Sequence, residues 1–253
     1  MSSPSDPFAF IDYHRLIDWR TRLSREWPFL DRVLATAPSR RVVDLGCGPG
    51  EHARLLASHG FEVVGLDSSA AQLVKAREIA APGVAFVEGD IVEVAALTAG
   101  TFGGAICLGN TLPGIADAGR LARLLSGLRT RLLPGAPFIA QVLNYEKVIA
   151  TGQRALPVSV LPGDDGELVL LRLMQAQADG QVTFTPAMLR YRADVEPPLE
   201  ILGARTTMLH GWRLDDLAPA LRAAGFPAVD GFGGFDGSPF DPKTSGDLVL
   251  VAR

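Results

Sequence analysis

The stretch Val42-Val43-Asp44-Leu45-Gly46-Cys47-Gly48-Pro49-Gly50 constrains the fold most, because a β-branched run halts at an acid, three alternate glycines follow, and a helical pattern begins at Glu51. Residues without a Cβ let the backbone close on a ligand, and the first turn of the next helix offers unpaired N–H groups. The spacing restricts the ligand. A dinucleotide loop requires Gly-x-Gly-x-x-Gly, but here the third glycine, Gly50, comes one place early and Glu51 stands where the last glycine belongs. A carboxylate at that point repels a pyrophosphate. Asp44, on the strand itself, can instead accept hydrogen bonds from a cationic amino-acid group.

Two more strand-like runs end in acids. Glu62-Val63-Val64-Gly65-Leu66-Asp67 places a carboxylate 21 residues after Gly46, where it can hold both hydroxyls of a ribose. Val84-Ala85-Phe86-Val87-Glu88-Gly89-Asp90-Ile91 sets Asp90 to reach an adenine amino group and Ile91 to flank the ring. In this order the elements resemble the class I S-adenosylmethionine-dependent methyltransferases, over about residues 40–145 and again from 212 to the end. The resemblance implies S-adenosylmethionine as cofactor. Its binding residues would be Gly46, Cys47, Gly48 and Gly50 of the loop, Asp44, Asp67 with Ser68, Asp90 with Ile91, and Leu108. The plainer alternative is a tight turn followed by Asp67 capping the helix begun by Ser68-Ser69.

A chain of 253 residues with 47% hydrophobic content can bury one sizeable core, as one domain with an insertion. The net charge of −4 gives no footprint for a phosphate backbone, so nucleic acid is not an expected partner. Arg120, Arg123, Arg129 and Arg131 alternate with Leu121, Leu124, Leu125, Leu128 and Leu132, the pattern of an amphipathic helix with a solvated face. Cys47 and Cys107 lie in apolar strand-end contexts and read as small core residues in a reducing compartment. Met1–Pro7 lacks the pattern of a leader, and no run approaches the ~18 apolar residues of a spanning helix. The expectation is a cytoplasmic protein acting on a small molecule, away from membranes, with a homo-oligomer left open.

Strand and helix patterns alternate from 41 to 143, with strands near 41–45, 62–67, 84–88, 103–108 and 136–143 and helices near 51–59, 69–81 and 117–133. This predicts an α/β protein: a Rossmann-like seven-stranded methyltransferase fold with an antiparallel β insertion after the fifth strand. The expected units are an N-terminal helical cap (1–40, one helix over 11–35), a cofactor-binding core (41–149 and 212–253) and an antiparallel lid (150–211). Within the lid, 168–174, 182–184, 188–192 and 201–209 are strand-like, and the turn signals Asp164-Asp165-Gly166 and Asp179-Gly180 separate them. A helix over 214–224 and strands near 228–235 and 248–252 complete the core.

The fourth strand ends Ile106-Cys107-Leu108-Gly109-Asn110-Thr111 and the fifth ends Leu143-Asn144-Tyr145-Glu146. Together they resemble glycine N-methyltransferase and its bacterial relatives, where such stretches border an amino-acid site. Asn110, Tyr145 and His14 are the candidate catalytic residues, although Asn110 also suits an Asx-type turn. The same resemblance sets Arg22 against the methionine carboxylate; otherwise Arg22 is a solvated helix residue. Leu143 stands where that family has the arginine that clamps glycine. Glycine itself is then not the expected acceptor: either the acceptor is less acidic, or an arginine of the lid, Arg172, Arg190, Arg192 or Arg205, replaces the missing one. The four histidines show no metal-ligand spacing, so no metal site is expected. The function expected is methyl transfer to a small acceptor, at an amine nitrogen. The alternatives are O-methylation of a carboxylate or hydroxyl, a nicotinamide oxidoreductase, and a non-catalytic cofactor-binding protein.

Overall fold

A computed structural model describes residues 10–79, 81–177 and 179–253; the Met1–Pro7 stretch lies outside them. Two aspartates shape the N-terminal segment. Asp12 caps α1 (Tyr13–Leu16) and Asp18 caps α2 (Trp19–Leu34), their carboxylates accepting from the backbone N–H of Arg15 and Thr21. The single helix expected over 11–35 is therefore two. The chain is extended at Ile17, and the second cap restarts the hydrogen-bond ladder.

The alternating pattern then forms β1 (Arg41–Leu45), α3 (Glu51–Ser58), β2 (Glu62–Asp67), α4 (Ala70–Glu78), β3 (Val84–Glu88), α5 (Val94–Leu97), β4 (Gly104–Cys107), α6 (Ala118–Arg131), β5 (Phe138–Leu143) and α7 (Tyr145–Thr151). After the lid strands β6 (Ser159–Pro162), β7 (Glu167–Ala176), β8 (Gln181–Tyr191), β9 (Leu199–Ala204) and β10 (Thr207–His210), the chain returns through α8 (Leu214–Ala223), β11 (Val229–Phe232) and β12 (Asp247–Ala252).

The main sheet is seven-stranded, in the order β11-β12-β5-β4-β1-β2-β3. It is the Rossmann-like methyltransferase arrangement: β1 to β5 pair in parallel, and β12 runs antiparallel between β5 and β11. The chain moves outward from β1 in one direction and from β4 in the other, which opens a crevice past the carboxyl ends of these two strands. Successive residues of β1 face opposite layers, Val42 toward Phe29, Leu56 and Val63 and Val43 toward Leu66, Leu124 and Phe138. Helix α6 buries Leu121, Leu124, Leu125 and Leu128, while Arg120 and Arg123 pair with Asp90 and Glu93 on the outer side.

The lid is a separate antiparallel sheet in the order β10-β8-β7-β6, with β9 also on β8. Two expected strands, 182–184 and 188–192, are one. Pro186 loses a single N–H, yet the register with β7 continues through Arg172↔Pro186. The expected strand over 201–209 is two, because β9 and β10 pair with different stretches of the same edge of β8. Leu170 and Met188 pack on Ile11 and Leu16, whereas Met174 and Val182 join the main core beside Tyr145 and Trp212. The lid sheet thus rests on the N-terminal segment at one end and on the strand ends at the other.

Asn144 fastens this corner. It is 2% exposed; its Oδ1 caps α7 at Lys147 N (3.2 Å), and its Nδ2 donates to the carbonyls of Pro242 (3.0 Å) and Ser245 (3.1 Å). Asn144→Ala removes the cap and the donor to the Pro242 and Ser245 carbonyls. It should cost about 1–3 kcal/mol in urea unfolding. A variant within 0.5 kcal/mol (roughly the scatter of surface changes) would show that the cap is dispensable.

Candidate functional site

The glycine loop bends back on β2. The N–H groups of Gly46 and Cys47 donate to the Leu66 carbonyl (2.7 and 3.2 Å), and Gly50 N–H donates to Cys47 O (2.9 Å). Gly46 has φ +75, and a Cβ there would meet the Thr111 side chain at 2.3 Å. Gly48 has φ +52, but a Cβ there would meet no protein atom within 4 Å. The loop therefore presents bare backbone to open space at Gly48. Cys47 points the other way, buried, with its sulfur against Gly65.

Asp67 closes the far side. Its Oδ2 accepts from Gly48 N–H (2.7 Å) and its Oδ1 from Ser69 N–H (2.8 Å). The helix cap is Ser69, whose side chain accepts from Gln72 N–H, so Asp67 is not the N-cap of α4. Ser68 is exposed beside Asp67.

Asp44 sits at the bottom of the crevice, 2% exposed, with Oδ2 buried and unpartnered among the described residues. Burial pushes its pKa from an ordinary carboxyl value of 3.8 to about 7, against the opposing charges of His52 and Arg22 and with help from Asp67. Arg22 approaches from α2, where its Nε donates to Glu26 (2.8 Å) and its guanidinium lies 3.6 Å from where a Cβ of Gly109 would be. It is neither free nor simply solvated. Glu26 also meets His52 Nε2 at 2.6 Å, both residues being 6% exposed. Burial raises the Glu26 pKa, but the bond and charge of His52 and the charge of Arg22 outweigh it, and the net shift is downward.

The remaining cofactor candidates are spread around the crevice. Asp90 caps the 3₁₀ turn at Ile91–Glu93 through Val92 N–H and pairs with Arg120. Ile91 is buried in the main core, and Leu108 packs with Phe29 and Ile106 on the other face of the sheet. His14 contacts Glu51 at the start of α3 (2.5 Å), and Asp12 pairs with Lys75 of α4 (2.5 Å). The N-terminal segment is thereby strapped across the helices that follow β1 and β2.

At the ends of β4 and β5 the amides form a clamp. Asn110 has φ +66; its Nδ2 donates to the Tyr145 hydroxyl (2.9 Å) and its Oδ1 accepts from Leu143 N–H (2.9 Å). That is a bridge between the ends of β4 and β5. Gln141 Oε1 accepts from the N–H groups of Gly109 (2.9 Å) and Asn110 (3.2 Å), and its Nε2 donates to Asp247 (2.9 Å). Burial pushes the Tyr145 hydroxyl up to about 12, against the Asn110 bond, so it stays a protonated donor at neutral pH. Sequence reasoning passed over Glu26, His52, Gln141 and Asp247. Only Gln141 carried a local signal, as the one polar residue in the apolar run Phe138–Leu143.

Comparison with known proteins adds the family. Residues 42–135 match the family described as a methyltransferase domain. Over that segment the chain carries a methyltransferase domain, of the kind found in class I S-adenosylmethionine-dependent methyltransferases. It is 49% identical over 81 residues to trans-aconitate 2-methyltransferase of Paracidovorax citrulli, covering 31% of this chain and 30% of the relative. It is 28% identical over 156 residues to glycine/sarcosine N-methyltransferase of Aphanothece halophytica, covering 60% of this chain and 59% of the relative. The matched regions thus span less than two thirds of either relative. The sugar N-methyltransferase KedS8 of Streptoalloteichus sp. has the same fold, with a TM-score of 0.70 at 21% identity over 100% of this chain and 99% of that one.

The residues present fit the cofactor of this methyltransferase family. An orphaned buried carboxylate oxygen at Asp44 suits an ammonium, the open backbone at Gly48 leaves room for a ligand, and Glu51 argues against a pyrophosphate. This fit carries a pH signature. Only ionised Asp44 attracts an ammonium, and with a pKa of about 7 it is largely protonated below that pH. Titration calorimetry with S-adenosylhomocysteine should show affinity falling from pH 8 to pH 6, by up to about tenfold per pH unit once below 7, with proton release on binding. In Asp44→Asn the dependence should be flat; a flat wild-type profile would remove Asp44 from the ammonium site.

Proposed function

We propose that this methyltransferase transfers a methyl group from S-adenosylmethionine to the nitrogen of a small amine. Asp44 would hold the ammonium and Arg22 the carboxylate of the methionine part, Asp67 the ribose hydroxyls, Asp90 the adenine amino group, and Ile91 and Leu108 apolar surface near the ring. When bound, the cofactor supplies an activated methyl on a sulfonium. The protein's part is then to hold the acceptor in line and exclude water. The observation that carries the reading is the neutral clamp at the ends of β4 and β5. Asn110, Gln141 and Tyr145 donate and accept hydrogen bonds, and Tyr145 is too weak an acid to serve as a base at neutral pH. An amine that arrives neutral needs orientation rather than deprotonation.

Asn110 is a positioning residue in this scheme, since it fixes the Tyr145 hydroxyl, whose own proton is left to donate. The lid, with the N-terminal segment beneath it, would seal the acceptor space. A second reading is esterification of a carboxylate acceptor. It is favoured by the higher identity to a relative named for trans-aconitate, though over only 81 residues.

The test is S-adenosylhomocysteine production with small amines, trans-aconitate and phenols side by side. Turnover should appear with amines; turnover confined to trans-aconitate would replace this reading with the second. With the best acceptor, Asn110→Ala should lower kcat roughly tenfold, equivalent to about 1.4 kcal/mol, and change the Kd of S-adenosylmethionine less than twofold. An equal loss in both would assign Asn110 to the cofactor site.

A further inference from the structure

Four lid arginines stand among the candidates for an anion-binding group, and the structure separates them. Arg190 and Arg192 are neutralised at the far tip of the lid, where both pair with Asp165 and Glu200 at 3.0–3.7 Å. Arg205 is exposed in the turn between β9 and β10. Arg172 differs from all three. It lies on β7 between Leu170 and Met174, and alternation along a strand puts all three side chains on the same, inward face. Leu170 packs on Ile11 and Leu16 of the N-terminal segment, and Met174 packs in the core that contains Tyr145 and Val142. Arg172 therefore stands on β7 between a residue that packs on the N-terminal segment and one that packs beside the strand ends carrying the clamp.

Its charge is poorly compensated. One Nη2 hydrogen bond goes to the Pro157 carbonyl (2.8 Å) and a long contact to Ser159 Oγ (3.4 Å). Nε is buried and has no partner among the described residues. Among the described residues no carboxylate forms an ion pair with it, whereas Arg190 and Arg192 each have two. Burial pulls its pKa down, while the nearby Tyr13 works the other way; an arginine nonetheless remains charged. A half-buried guanidinium whose buried Nε–H is idle matches the two oxygens of a carboxylate. Leu143, at the end of β5, leaves that countercharge unsupplied from the strand side.

We propose that Arg172 is the carboxylate anchor of the acceptor site, so that the acceptor is an amine that also carries a carboxylate, such as an amino acid. This rests on the amine reading above for its reaction but not for its binding step, and the two are tested apart. In the first measurement, amino acids are assayed beside their carboxamides, which keep the amine and lose the charge. The acids should show kcat/KM at least tenfold above the amides, the lower end of what hydrogen bonds to a charged group contribute. Arg172→Gln should bring the ratio near one by lowering only the acids. Arg172→Lys, which keeps the charge and loses the fork, should retain part of it and controls for folding. In the second, the ¹⁵Nε resonance of Arg172, assigned by its loss in Arg172→Lys, is followed in protein loaded with S-adenosylhomocysteine while glycine or glycinamide is added. It should move with glycine and stay with glycinamide. Absent turnover with a moving resonance would overturn the amine reading and keep the anchor. Equal response to acid and amide, or an acid-to-amide ratio unchanged in Arg172→Gln, would overturn the anchor itself.

Discussion

Taking the Asp44 carboxyl out of water disfavours its charged form, and one of its oxygens finds no donor among the described residues. Much of the surrounding architecture offsets that cost without cancelling it. Arg22 and His52 lower the Asp44 pKa from two elements, α2 and α3, while Glu26 bonds to both and so holds them near the crevice. The arrangement leaves a carboxylate that gains most when a cation arrives. In the ligand-free protein, ionised Asp44 costs folding stability above pH 7, and the cost shrinks as pH falls toward 4, because its pKa is raised on folding. That unfavourable term is the counterpart of a binding site.

On the other side of the crevice the bridging groups are neutral amides, and the one carboxylate they meet is Asp247, bonded to Gln141. Gln141, Asn110 and Asn144 each bridge two or more chain segments that end near the sheet edge, and backbone N–H and carbonyl groups are their main partners. Amides suit this work, since each offers donors and acceptors without a charge to desolvate. The left-handed Asn110, adjacent to Gly109 at φ +73, turns the chain sharply at the end of β4 and lets its side chain reach back to β5. The two solutions give the crevice a charged side around Asp44 and an amide-lined side around Asn110 and Gln141, and the proposed acceptor anchor, Arg172 of the lid, adds a charge to the second.

Much of the scaffold was legible in the sequence. The glycine spacing, the acids closing β1 and β2, and the alternation of strand and helix patterns are local properties, imposed by backbone sterics and by the periods of the two secondary structures. They determined the parallel core, the switch point and the position of Asp44, Gly48 and Asp67 around it. Boundaries in the cap and lid were less legible: a capping aspartate at residue 18 splits one helix into two, and a proline in β8 interrupts a pattern without interrupting the strand.

Tertiary structure alone decided the partnerships between distant residues. Glu26 on an amphipathic helix looks like any solvated acid until His52, 26 residues later, is packed against it. Gln141 gains its meaning from Gly109, Asn110 and Asp247, separated from it by 32, 31 and 106 residues. The four candidate arginines of the lid are equivalent as letters; strand register gives two of them carboxylate partners, leaves one in water and turns Arg172 inward. Local sequence sets conformation and the chemistry available, whereas the charge state and free valence of a buried group depend on what folding brings beside it.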